Sequence, residues 1–197
     1  MTQWNHDYVN LPQAWAAMPK LPGSDRIDWG DICVAHLDTG YTEHPVFGRW
    51  RPDGTNDIVL VDAGRNYLEP GQRPKDTLRG EGLIQTPGHG TRTSSCLAGF
   101  KSDDFPGGCA PEIPIVPYRV VEDVVLEPQF FGTHVWEKLA AALEHVVAER
   151  KCQIVSISLG RHPHVFAAAH SAVICSPAAK GAHRVHLRDA HRPAHNK

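Results

Sequence analysis

ICVAHLDTG, residues 32–40, decides how the chain is read. A short apolar run, Ile32 to Leu37, suits a buried parallel strand. It ends abruptly in Asp38-Thr39-Gly40, and the turn-rich stretch 41–57 follows, with Asp53-Gly54 inside it. A carboxylate at the end of a buried strand followed by a glycine turn is a chemical position as much as a structural one.

Working outward, strand and helix signals alternate. DIVLVD, 57–62, reads as a second strand, and the polar, Pro- and Gly-rich residues 63–88 read as a long loop. GHGTRTSSCLAG, 88–99, reads as a short helix with His89 at its start and Gly99 as its stop. IPIVPYRVV, 113–121, is a further strand, with Pro114 and Pro117 suggesting an edge or an end. The clearest helix is 133–151. Val135, Leu139, Leu143, Val146 and Val147 form its apolar stripe, and Thr133 is the expected N-cap. QIVSISLG, 153–160, follows as a strand. This order predicts an α/β fold on a parallel sheet with right-handed crossovers. Residues 1–30, broken by Pro12, Pro19, Pro22 and Gly23, are expected to be an irregular arm. No internal repeat is evident.

The totals bound the function. A chain of 197 residues is long enough for one domain with a core. Hydrophobic content of 41% and charged content of 21% suit a soluble globular protein. A net charge of −2 gives no electrostatic case for nucleic acid. No apolar run approaches the roughly 18 residues of a membrane span, so no membrane partner is expected. No signal peptide is visible at the N-terminus. Five cysteines without a CxxC pair argue for free, partly buried thiols rather than a zinc site or disulfide framework, which favours a reducing, cytoplasmic compartment.

The charge is not evenly spread. Residues 161–197 hold seven of the 13 histidines and six Lys/Arg against one acid, Asp189; residues 1–160 carry a net −7. This tail shows little periodicity and is expected to be disordered or loosely helical.

Asp-Thr-Gly at a strand end serves two unrelated protease chemistries. In an acid dyad, two such aspartates share a proton. No second copy occurs here, and the helix at 133–151 does not suit the all-β dimers that supply one from a partner. In a triad, the aspartate orients a histidine that activates a serine. VAHLDTGYTEHP (34–45) and GHGTRTSSCLAG (88–99) resemble the aspartate and histidine blocks of the subtilisin-like serine peptidases. GCAPEIPIVPYRVV (108–121) resembles the segment after the histidine, and IVSISLG (154–160) the strand bearing the substrate-binding Ser-Leu-Gly. The four blocks occur in order and span about residues 30–160.

The resemblance implies a subtilisin-like parallel-sheet sandwich acting as a serine endopeptidase on a peptide or protein substrate. Asp38 would be the orienting carboxylate and His89 the base. Ser158, Leu159 and Gly160 would bind substrate by strand addition and line the specificity pocket. Gly88 and Gly90 would let backbone approach the imidazole closely. The positive end of the helix disfavours imidazolium at His89, and Asp38 offsets that. Such enzymes often carry structural calcium, but no ligand cluster here carries over, so no cofactor is assigned.

The resemblance stops at Gly160. The family's Ala-Ala-Gly-Asn block, which supplies the oxyanion asparagine, and its Gly-Thr-Ser block, which supplies the nucleophile, have no counterpart. Ser171 and Ser176 follow no Gly-Thr, and Asn196 stands next to the last residue. The catalytic domain is therefore read as partial over 31–160, with no nucleophile and little activity of its own. The Ala, Arg, Pro and His of 161–197 are what a frame change in a GC-rich gene produces. A natural truncation or pseudoenzyme, and an authentic C-terminus, are the alternatives. The second function considered is a non-catalytic peptide-binding fragment. The third is weak metal binding by His162/His164 and His183/His186 in the tail.

The remaining residues have plainer readings. His36, His44, His134 and His145 are taken as surface or satisfied histidines, with His36 expected to point away from Asp38. Ser94 and Ser95 are taken as packing residues. A metal site from Asp38, His44 and His89 is the less favoured use of those groups.

Overall fold

The computed structural model describes residues 4–79, 86–122, 125–126, 135–150 and 152–161. Its centre is a parallel sheet. The strands are β1 (Val34–Asp38), β2 (Arg65–Asn66), β3 (Ile115–Arg119) and β5 (Ile154–Ile157), in the spatial order β2-β3-β1-β5. β4 (Val125–Leu126) and β6 (Gly160–Arg161) pair separately, in parallel, with Val125 opposite Gly160. The α/β class and the parallel sheet expected from the sequence are present.

β1 and β3 are buried along their whole length, as a strand covered on both faces must be. Their alternate residues feed two cores. Val34 and Ile115 join Tyr41, Phe47, Ile58, Val59, Ala98 and Ile113 on the face of helix α3 (His89–Ala98). Ala35, Leu37, Val116, Tyr118 and Val120 join Leu139, Ala142 and Val146 on the face of helix α4 (Val135–His145). Burying each large side chain contributes about 1.5–3 kcal/mol against chain entropy. The result is a helix, sheet, helix sandwich with β1 in its middle layer.

Four expectations are corrected. Residues 4–17 are not irregular: they form short helices α1 (Trp4–Tyr8) and α2 (Leu11–Ala17). Pro12 lies in the first turn of α2, where its missing N–H costs nothing. DIVLVD forms only a bridge, Val59 to Ile115, before the chain turns at 61–64; pairing resumes in β2, inside the stretch read as loop. Pro117 lies not at an edge but between β1 and β2. Ile115 and Arg119 bond toward the 58–67 side and Pro114 and Val120 toward β1, so by alternation the nitrogen of Pro117 faces the interruption at 61–64. Helix α4, described from Val135, loosens into a wide π turn over Val146–Arg150, which leaves Val147 61% exposed, outside the expected stripe. Thr133 and His134 lie outside the described residues, as does everything after Arg161, including the tail serines, the histidine pairs and Asn196.

Among the described residues, β5 has β1 as its one neighbour in the sheet. Ile154, Val155 and Ile157 are 46%, 39% and 41% exposed, an apolar edge of the kind natural sheets normally cover.

Candidate functional site: Asp38 and His89

The C-terminal end of β1 delivers Asp38, which is fully buried. The first residue of α3 delivers His89, whose side chain keeps 19% of its surface in contact with solvent. The two meet across 51 residues of sequence, with His89 Nδ1 2.8 Å from Asp38 Oδ1. The other bonds to the carboxylate fix its orientation. The Thr39 backbone N–H donates to Oδ1 at 2.7 Å, and the Thr93 hydroxyl lies 3.3 Å from Oδ2. A neutral imidazole that gives Nδ1–H to a carboxylate has Nε2 left to accept a proton. The pair can therefore act as a base with a fixed tautomer.

Backbone contact makes the approach of β1 and α3 possible. Gly40 turns off the strand at φ 104°, and a Cβ there would lie 2.4 Å from the Pro74 carbonyl oxygen. A Cβ on Gly90 would lie 2.1 Å from the carbonyl oxygen of Gly40. The close approach at Gly90 is to the Gly40 backbone, rather than around the imidazole as the sequence suggested. Gly88 contributes a φ of 71° at the helix N-cap, with room around it.

Two further residues complete the site: Asp76, which no sequence pattern marks, and His36, whose expected orientation is corrected. Asp76, buried in the loop after β2, accepts hydrogen bonds from Thr39 Oγ1 at 2.6 Å, Gly88 N at 3.0 Å and Leu78 N at 2.7 Å. Thr39 Oγ1 in turn accepts from Gly90 N at 3.0 Å. One carboxylate thus ties the turn after Asp38 to the turn before His89. The second is His36. Residues two apart on a strand share a face, so His36 points toward Asp38 rather than away. Its Nε2 is 3.1 Å from Thr93 Oγ1 and 3.9 Å from Asp38 Oδ2. Burial pushes its pKa down; Asp38 opposes that shift and His89 adds to it. The neutral ring can donate Nε2–H to the Thr93 oxygen, whose own proton turns to the His89 carbonyl at 3.0 Å or to Asp38.

Other sequence candidates take plainer places. Ser94 and Ser95 turn their hydroxyls onto carbonyls of their own helix, Gly90 and Arg92. His44 accepts from Val46 N, and among the described residues no three His, Cys, Asp or Glu side chains gather as a metal set. His145 is a core histidine, with Nδ1 2.8 Å from the Tyr118 hydroxyl and Nε2 3.1 Å from the Glu149 carboxylate. Ser158 is exposed, Leu159 packs against the α4-side core, and the backbone of Gly160 is paired with Val125. No helix among the described residues is long and apolar enough to cross a membrane. Compared with family models, curated proteins and solved structures, the chain matches none.

Proposed function

We propose that residues 31–160 are the aspartate- and histidine-bearing part of a subtilisin-like serine endopeptidase domain. The observation that carries this reading is the 2.8 Å contact between His89 Nδ1 and Asp38 Oδ1, made between a buried strand end and a helix start. In the complete reaction His89 Nε2 takes the proton of a serine hydroxyl as that oxygen attacks the peptide carbonyl, then gives it to the leaving amine. Asp38 holds the tautomer and stabilises the imidazolium that forms. Ser158, Leu159 and Gly160 line the substrate strand, and the acceptor is a peptide or protein.

The serine and the oxyanion asparagine are not among residues 31–160. Loss of the serine costs on the order of 10⁶ in turnover in subtilisin. Loss of an oxyanion donor costs about 10²–10³. Residues 31–160 alone are therefore a relay without a nucleophile. A second reading, a peptide-binding fragment or pseudoenzyme, is favoured by the exposed edge of β5, which offers strand addition without chemistry.

Nitrogen NMR of the histidine rings tests the relay. The expected result is His89 protonated on Nδ1 at neutral pH, with that preference lost in Asp38→Asn. The opposite tautomer in the parent chain would overturn the reading. A serine-directed phosphonylating probe adds a second arm: labelling at Ser171 or Ser176 would contradict the absence of a nucleophile.

A further inference from the structure

We propose that Cys33 and Cys152 are a redox pair that closes to a disulfide across the β1–β5 seam. Cys33 immediately precedes β1, and Cys152 stands two residues before β5. The register of the two strands, Val34 opposite Ile154, brings their entry segments side by side. The Cys33 backbone N–H donates to Gln153 Oε1 at 3.1 Å, which holds the two segments together. The sulfurs are 2.7 Å apart, and both side chains are half-buried. The remaining approach to a bond of about 2.05 Å is a fraction of an ångström.

The oxidant is a low-molecular-weight disulfide such as oxidised glutathione. One protein thiolate attacks it, forming a mixed disulfide and releasing one small thiol. The second protein thiolate then attacks the protein-bound sulfur, forming the Cys33–Cys152 bond and releasing a second small thiol. Two electrons pass from the protein sulfurs to the oxidant, and the protons of the two cysteines end on the released thiols. The bond would pin the start of the exposed edge strand to the centre of the sheet. Oxidation would thus fasten an exposed strand to the buried one beside it. Nothing in this inference rests on the peptidase reading.

Accessibility alone points elsewhere, because Cys96 and Cys109 are exposed. The full chain is equilibrated with a series of reduced-to-oxidised glutathione ratios, quenched with acid, digested without reduction and mapped by mass. A parallel series in urea removes the folded geometry. The expected result is the Cys33 and Cys152 peptides joined, enriched about ten-fold or more over the urea series, the gain that held proximity gives. Slower hydrogen exchange at β5 amides should accompany it. Recovery of the two peptides singly or glutathionylated at every ratio, or joined no more often than in urea, would overturn the proposal. In Cys152→Ser the resolving thiol is gone, so Cys33 should accumulate as the glutathione adduct; failure to do so while the parent chain forms the bond would exclude Cys33 as the attacking thiol and leave Cys152 in that role.

Discussion

Gly40 and Gly90 touch through their backbones: a Cβ on Gly90 would lie 2.1 Å from the Gly40 carbonyl oxygen. That contact sets the distance between the end of β1 and the start of α3, and so between Asp38 and His89. Gly90→Ala must push the two elements apart. The expected loss is about 1–3 kcal/mol or more, with His89 drawn off Asp38. Gly23→Ala, at a φ of 70° with nothing within 4 Å of the new Cβ, meets backbone strain alone and should lose about 1 kcal/mol. Urea midpoints of the two variants check the difference.

Asp76→Ala should cost stability and loosen the site together. It removes the acceptor of the Thr39 hydroxyl and of the Gly88 and Leu78 N–H groups in a buried setting. Each donor left without a partner costs about 1–3 kcal/mol, less what water can recover. A chain that unfolds at the parent's urea midpoint would show that Asp76 braces nothing.

His36 should shape the acid limb of the stability curve. Its pKa is pushed down in the folded chain, chiefly by burial, so below about 6.5 the unfolded chain binds a proton that the folded chain refuses. Stability therefore falls as pH drops from the unfolded value toward the lower folded one. The groups facing the ring are Asp38, Thr93 and His89. In His36→Gln this part of the pH dependence disappears, which the difference between parent and variant urea midpoints across pH 4–8 reads directly. Identical slopes would contradict the assignment.

The edge of β5 should make the chain self-associate. Ile154, Val155 and Ile157 are exposed on the strand that, among the described residues, ends the sheet. Val155→Lys places a charge on that edge and should lower the concentration-dependent association seen by sedimentation. No association in the parent chain, or no change in the variant, would refute it.

Asp38→Asn keeps the shape of the carboxylate but offers the wrong partner to His89 Nδ1. Where a serine is supplied in the same domain, turnover should fall about 10⁴-fold, as it does in the analogous triad of another serine protease fold. Steady-state kinetics at neutral pH measure it, and a loss below ten-fold would show that Asp38 does not orient the base.

How much of this was legible follows from the physics of each element. β1, β3, β5, α3 and α4 announce themselves because their apolar patterns are long enough to read. β2 is two residues, Arg65 and Asn66, paired through backbone alone, and no side-chain pattern marks it. Asp38 and His89 are legible because glycines and chain order frame them. Asp76 is not, because its role exists only once Asp76 N bonds Tyr41 O and the loop folds back under the turn. His36 was within reach: its spacing from Asp38 puts both on the α3 face of the strand. Val147 leaves the stripe that regular helical spacing predicts because a π turn shifts the register.

The proposed subtilisin-like domain needs a serine block outside residues 31–160. The most direct measurement is to sequence the coding DNA across codon 160 and read all three frames downstream. The expected result is that another frame spells Ala-Ala-Gly-Asn followed by Gly-Thr-Ser. If every frame lacks both blocks, the peptidase account fails for this gene, and the Asp38–His89 pair belongs to a binding or structural site instead.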